Sequence, residues 1–155
     1  MAEYGLTTLG VKVGYAVEAT AGTKPSSGLT TLTRINSIGE ISISAEAIDV
    51  SALEDYVTRY KAGRANPSET IDVTVNVTDE TTTAWAGVIS AYEALTGGKA
   101  CWLEITVPGL TKAFWIRFQP PTKLPVPAFD QNGNLTMTIS LVVNDWDLDT
   151  AVSLT

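Results

Sequence analysis

Two stretches of strict alternation between apolar and polar residues leave few folds open to this chain. From Ile71 to Thr78, and again from Leu135 to Leu141, every second residue is apolar and its neighbours are short and polar or acidic. A period of two is typical of a β-strand with one buried face. Weaker forms of the pattern occur over residues 11–17, 32–44, 101–107 and 114–118. These stretches predict an antiparallel sheet whose two faces differ sharply in polarity.

One segment follows a different period. Apolar residues recur at three- and four-residue spacing, which predicts a helix with a single apolar stripe; they are Trp85, Val88, Ile89, Tyr92 and Leu95. Asp79 is the predicted N-cap, and Gly97 and Gly98 end the pattern with residues that accept a left-handed conformation. The expected helix spans residues 79–96.

Together these elements predict a mainly β fold, an antiparallel β-sandwich or barrel of six to seven strands with one flanking α-helix. A length of 155 residues is typical of one domain, here residues 1–155. Residues 1–10 are expected to form an N-terminal arm and residues 145–155 a C-terminal arm. Residues 45–69 are expected to form a long loop between strands.

The composition argues against an enzyme, a cofactor or a bound metal. The chain has no histidine, which removes the usual general base and the commonest metal ligand. Asp145, Asp147 and Asp149 have the spacing that opens a calcium loop, but Thr150 stands where that loop needs glycine, and no twelfth-position glutamate follows. Cys101 is alone, so no internal disulfide is expected, and a reducing compartment fits.

The net charge and the hydropathy of the chain argue against nucleic acid and membranes as binding partners. A net charge of −7 argues against gripping nucleic acid by its phosphates. The sequence has no apolar run near the roughly 20 residues that a membrane helix needs, and its first residues do not resemble a signal peptide. We therefore expect no membrane insertion.

The central segment, residues 48–64, is not patterned like a strand. Acidic residues fill its first half, basic residues its second, and apolar residues are scattered among them. So much apolar surface is unusual in a solvated turn, so a partner is expected to cover it. The predicted contact residues are Asp49, Leu53, Glu54, Asp55, Tyr56, Arg59, Tyr60, Lys61 and Arg64.

The same region resembles the major tail tube proteins of long-tailed bacteriophages. The sequence IDVSALED, followed by the basic and aromatic TRYKAG, matches the pattern of that family, and the likeness covers residues 38–63. The resemblance implies hexameric rings that stack into a hollow tube through which the genome leaves the capsid. It implies a virion tail location after synthesis in the host cytoplasm. It also implies tape measure and tail-terminating proteins as partners, and double-stranded DNA passing without specific binding.

Two further surfaces are predicted from this reading. The acidic tail, Asp145, Asp147 and Asp149, is expected to meet Arg59, Lys61 and Arg64 of a neighbouring subunit. A DNA conduit should avoid cations that would hold phosphates, so two uncharged or acidic strand faces are expected to line the lumen. Those residues are Asp72, Thr74, Asn76, Thr136, Thr138 and Ser140. Threonine suits strands in any case, which leaves an ordinary exposed face as the alternative.

Other functions stay open at this point. Tubes of contractile tails and of type VI secretion are built on similar subunits. A carbohydrate- or ligand-binding β-sandwich is a second alternative, with Trp102 and Trp115 as its aromatic candidates. These two tryptophans share a strand face with Glu104 and Arg117, which could pair across the strands, and the face needs cover from a neighbouring subunit or from the arms.

Overall fold

The structure, a computed structural model, describes residues 5–131 and 133–152, and only the backbone of Asn66. One helix, α1 (Asp79–Glu93), accompanies nine strands. The strands are β1 (Lys12–Val17), β2 (Thr30–Leu32), β3 (Ile35–Ile38), β4 (Ile43–Asp49), β5 (Tyr60–Pro67), β6 (Thr70–Asn76), β7 (Cys101–Thr106), β8 (Lys112–Gln119) and β9 (Thr136–Thr150). The predicted mainly β, antiparallel fold with one helix is confirmed.

Seven strands form one antiparallel sheet in the order β2-β1-β7-β8-β9-β6-β3, and β4 pairs only with β5. The two edge strands, β2 and β3, are consecutive in the chain and are joined through Thr33 and Arg34. In a flat sheet these edges would lie about 29 Å apart, yet the link from Leu32 to Ile35 spans at most about 11 Å. The sheet must therefore curl into an open barrel. Arg34 makes the sharp turn with a left-handed backbone, at φ 58°.

The inward face of the barrel forms the main core. Ile71, Val73 and Val75 of β6 are buried there against Met137, Ile139 and Leu141 of β9, as the alternation predicts. Trp85 and Val88 of α1 pack into the same core. Burying side chains of this size contributes roughly 1.5–3 kcal/mol each, so the barrel interior is the main source of stability.

The helix differs from its prediction in its N-cap residue and in where it ends. Thr78, not Asp79, is the N-cap: its hydroxyl accepts the Thr81 amide at 3.1 Å, and the Thr81 hydroxyl accepts the Thr78 amide at 2.9 Å. This reciprocal pair forms a capping box with threonine in the place usually held by glutamate. The helix ends at Glu93, with Ala94 as C-cap, three residues before the predicted end.

The predicted loop at residues 45–69 is wrong, because most of it is strand. β4 and β5 form a hairpin, and only residues 50–59 connect them. The apolar–polar alternation is missing because every residue of β4 is exposed, so no face is selected for burial. Gly63 allows the two strands to approach, since a Cβ there would lie 3.0 Å from the Glu46 carbonyl oxygen.

The predicted C-terminal arm is also wrong over most of its length. β9 runs for 15 residues to Thr150, and its second half pairs with β8 from Lys112↔Thr150 to Arg117↔Asp145. A register shift between Arg117 and Phe118 changes the phase of the alternation, which hides the continuation. Of the predicted N-terminal arm, residues 5–10 have no strand or helix, and residues 1–4 lie outside the described part.

A second, smaller core covers the outer face of β1, β7 and β8. Ala16, Trp102, Ala113 and Trp115 are buried there under Leu29 and the last described residues, Ala151 and Val152. The cover thus comes from residues 18–29 and the C-terminal end of the same chain. In the part of the chain described, no helix is long and apolar enough to span a membrane.

Candidate assembly surfaces

The β4–β5 hairpin stands apart from the barrel and presents an apolar tip. Leu53 and Tyr56 are fully exposed, and Val57 and Tyr60 are mostly so. Neither strand of the hairpin is paired with the seven-stranded sheet. An isolated hairpin is marginally stable at best in water, so this element has little support from the rest of the chain.

Several of the predicted contact residues build the hairpin tip itself. Asp49 accepts the Ser51 amide at 2.9 Å, and Asp55 accepts the Ala52 amide at 2.8 Å. Arg59 donates from Nε to Asp55 at 3.3 Å, and its amide donates to the Ser51 hydroxyl at 2.8 Å. These bonds fix the turn while the apolar side chains point away from it. Glu54, Lys61 and Arg64 are exposed along the same hairpin.

The six residues predicted to line a lumen come together on one face. β6 and β9 align Asp72 with Ser140, Thr74 with Thr138, and Asn76 with Thr136. The Ser140 hydroxyl donates to Asp72 at 2.6 Å, and the Asn76 side-chain oxygen accepts amides from Asn36 and Asn134 at 2.7 and 2.8 Å. The result is a polar ladder, half-buried to exposed, without a lysine or arginine on either strand.

The acidic residues of β9 lie further along the same outer face. Asp145, Asp147 and Asp149 are aligned with Arg117, Trp115 and Ala113 of β8. Lys24 Nζ lies 2.8 Å from Asp147 Oδ2 and 2.8 Å from Asp149 Oδ2. Burial alone would lower the pKa of Lys24, but its hydrogen bonds to these two aspartates outweigh that effect and raise it. The same bonds lower the pKa of both aspartates.

Within one chain, the acidic residues of β9 are therefore not joined to the basic residues of the hairpin. Lys24 satisfies two of the acids, and Arg59 is paired with Asp55. The sequence does not single out Lys24, because it is an isolated cation in a segment rich in glycine, proline and serine. Its role depends on how that segment folds back over the sheet.

A buried carboxylate anchors the same segment, and nothing in the sequence around it singles it out either. Glu18 is 1% exposed and accepts from the Ala100 amide at 2.7 Å, from Trp102 Nε1 at 2.9 Å and from Arg117 at 3.1 Å. Burial alone would raise the pKa of Glu18, but these hydrogen bonds hold it below its ordinary value. The predicted Glu104–Arg117 pair is wrong, since Arg117 lies opposite Trp102 and pairs with Glu18.

The described residues offer little material for catalysis. No group of three potential metal ligands lies together among residues 5–131 and 133–152. Cys101 is buried, and burial together with the Glu18 carboxylate raises its pKa to about 12, which keeps the thiol protonated. Trp102 and Trp115 are 3% and 0% exposed, so they form no open aromatic groove. A cavity of about 340 Å³ at one end of the barrel is lined mainly by apolar side chains such as Ile41, Ile71 and Trp146.

Comparison with known proteins identifies the fold. No protein-family model and no curated protein matches the sequence. A chain from the sheath/tube terminator of an extracellular contractile injection system, PVC, in its extended state is 17% identical; the match covers 97% of this chain and 100% of that chain, with a TM-score of 0.64. A chain from the baseplate of the anti-feeding prophage is 13% identical; the match covers 96% of this chain and 97% of that chain, with a TM-score of 0.60.

A third structure comes from a particle of another kind. A chain from the tail of an empty gene transfer agent particle is 16% identical; the match covers 92% of this chain and 96% of that chain, with a TM-score of 0.55. All three matches extend over nearly the whole of both chains. This chain therefore shares its complete fold with chains of an injection system terminator, a prophage baseplate and a gene transfer agent tail.

Proposed function

We propose that this chain is a structural subunit of a tail tube, which assembles with copies of itself into stacked hexameric rings. The observation that carries the proposal is the β4–β5 hairpin, which has an apolar tip and is not paired with the barrel. The barrel itself has the fold of a chain in a sheath/tube terminator. Exposed apolar surface of this kind marks an interaction site. A second copy of the chain is the partner that a repeating tube requires.

The hairpin is the assembly element, and its apolar residues carry the contact. Burial of Leu53, Tyr56 and Val57 against another subunit would remove three large exposed side chains from water. Glu54 lies beside these apolar residues at the tip, and Lys61 and Arg64 are exposed further along β5, so charged side chains are available for the rim of such an interface. We assign the stacking and ring contacts to this hairpin and to the acidic residues of β9.

The polar ladder of β6 and β9 lines the lumen. Its hydroxyl, amide and carboxylate groups are largely bonded to one another, and neither strand carries a cation. Double-stranded DNA in transit would meet no phosphate-binding side chain there. Tape measure and tail-terminating proteins are the further partners. The chain is made in the host cytoplasm and is located in the virion tail. The chain is structural and not an enzyme.

A tube of a contractile injection system is the second candidate. Its support is that a sheath/tube terminator and a sheath-tube complex of an extracellular contractile injection system are among the similar structures. Both candidates require the same self-assembly. They differ in whether a sheath binds the outside of the tube.

Sedimentation velocity over a wide range of protein concentration tests the shared part of the proposal. We expect a species six times the mass of the 16.5 kDa chain, and larger stacks at high concentration. A single monomeric boundary at every concentration would refute it.

A further inference from the structure

Lys24 occupies a site that is built for an ammonium group. Its Nζ lies 5.7 Å from the ring centroid of Trp102 and 5.5 Å from that of Trp115, and it contacts one oxygen each of Asp147 and Asp149 at 2.8 Å. Aromatic faces and carboxylates both attract a cation, and both interactions strengthen when water is partly excluded. The Lys24 side chain is only 19% exposed.

The walls of this site belong to the sheet, whereas its occupant belongs to the covering segment. Trp102 lies on β7, Trp115 on β8, and both aspartates on β9. The two rings are held edge to face, with centroids 6.4 Å apart, and Trp102 is fixed further by its hydrogen bond to Glu18. The two rings are therefore held by contacts that do not involve Lys24, and both aspartates lie on the neighbouring strand of the same sheet.

We propose that Trp102, Trp115, Asp147 and Asp149 form a binding site for a primary alkylammonium group, which the chain fills with its own Lys24. This internal ligand fastens residues 18–29 to the second half of β9. Two carboxylates face one cation, so these three charged groups together carry a net negative charge when the site is occupied. The inference does not depend on the proposed function.

Chemical rescue of a Lys24→Ala variant tests the site. The substitution removes a propylammonium group, so n-propylammonium chloride is the matched probe. At ten times its dissociation constant, the probe should raise the Tm of the variant by about 3–5 °C in a saturable manner. The same salt should leave the wild type unchanged, because Lys24 already fills the site.

Further controls show whether the rescue depends on the ammonium charge and on the two aspartates. 1-Propanol supplies the same apolar stem without charge, and sodium chloride supplies ionic strength without the stem; neither should rescue the variant. Adding Asp147→Asn and Asp149→Asn to Lys24→Ala should abolish the rescue, while Asp145→Asn, on the same strand face, should preserve it. Equal Tm shifts in wild type and variant, or rescue by 1-propanol, would overturn the proposal.

A second measurement applies if Lys24→Ala does not fold. Hydrogen exchange of the amides of residues 19–29 is compared in the wild type, Lys24→Arg and Lys24→Met. Arginine keeps the charge and methionine keeps only a similar stem, so exchange should rise at least tenfold for methionine and less for arginine. Unchanged exchange in Lys24→Met would contradict a fastening role for the ammonium group.

Discussion

The hydroxyl groups of Thr74 and Thr138 lie 3.2 Å apart across the β6–β9 pair. The same face pairs Ser140 with Asp72 and joins Asn76 to two neighbouring amides. These side chains therefore satisfy one another and have fewer groups left to bind a passing ligand. Such a surface is suited to contact without adhesion, which is what a conduit for DNA requires.

Lysine placed on this face should slow the passage of DNA. We expect particles carrying Thr74→Lys, Asn76→Lys and Thr138→Lys to release their genome more slowly than the wild type, since each lysine adds a phosphate contact. Low salt should enlarge the difference, because screening weakens. The measurement is the rate of genome release from assembled particles.

The matched control replaces the same threonines without charge. Thr74→Val and Thr138→Val remove the hydroxyl contact but keep size and strand preference, and release should remain at the wild-type rate. If the lysine variants also release DNA normally, the ladder faces away from the lumen.

Removal of the hairpin should separate folding from assembly. Replacing residues 48–64 by a short glycine–serine linker should leave a monomer that unfolds cooperatively, because the hairpin is not paired with the barrel. Rings and tubes should be lost. Thermal unfolding and sedimentation velocity measure the two properties; loss of cooperative unfolding would show instead that the hairpin belongs to the folding unit.

A smaller change tests the apolar tip alone. Leu53→Ser with Tyr56→Ser should change the free energy of unfolding by under about 0.5 kcal/mol, since both side chains are fully exposed, but should abolish assembly. Val126→Ser is the control, at an equally apolar, 85% exposed position outside the hairpin. Assembly of the double variant at the wild-type concentration would exclude the tip as the contact.

Charge reversal tests whether the acidic tail and the hairpin meet between subunits. Lys61→Glu with Arg64→Glu should weaken assembly, and Asp145→Lys in the same chain should restore part of it. Asp145 is chosen because Lys24 already holds Asp147 and Asp149 within the chain. The yield of rings should also fall with added salt, as the Debye length shortens from about 10 Å at 0.1 M to about 3 Å at 1 M. Normal assembly of both single-sided reversals would rule out the pairing.

The buried Glu18 should make the fold sensitive to acid. Its pKa is lower in the folded chain than in the unfolded chain, so its contribution to stability is complete above the ordinary glutamate pKa of about 4.3 and is lost as the pH falls below it. We expect Glu18→Gln to be less stable than the wild type at pH 7. The gap in unfolding free energy should shrink below about pH 4, whereas parallel stability curves would show that the Glu18 charge is not linked to folding.

Sequence patterns predicted the parts of the fold that have one buried face. The alternation predicted β6, the first half of β9 and the six residues of the polar ladder, because burial of Ile71, Val73 and Met137 imposes a period of two. The hairpin gave no such signal, since β4 is exposed on both faces. Backbone hydrogen bonds and the turn around Asp55 set the pairing of its strands. The pattern of apolar and polar side chains carries no information about either.

The segment that covers the outer core could not be predicted for a different reason. Its partners, Trp102, Arg117 and Asp147, lie 84 or more positions further along the chain, and only the curled sheet brings them near Glu18 and Lys24. The sequence did indicate that the face of Trp102 and Trp115 needed cover, from a neighbouring subunit or from the arms. It did not indicate that Leu29, which lies in neither arm, supplies part of that cover.

Electron microscopy of the purified protein at high concentration shows directly whether the chain assembles into a tube. We expect rings with sixfold symmetry and a hollow centre, stacked into tubes as the concentration rises. Leu53→Ser with Tyr56→Ser, prepared in parallel, should give dispersed single subunits. Fields of monodisperse monomers from the wild-type protein, at the highest concentration that stays in solution, would contradict the assignment.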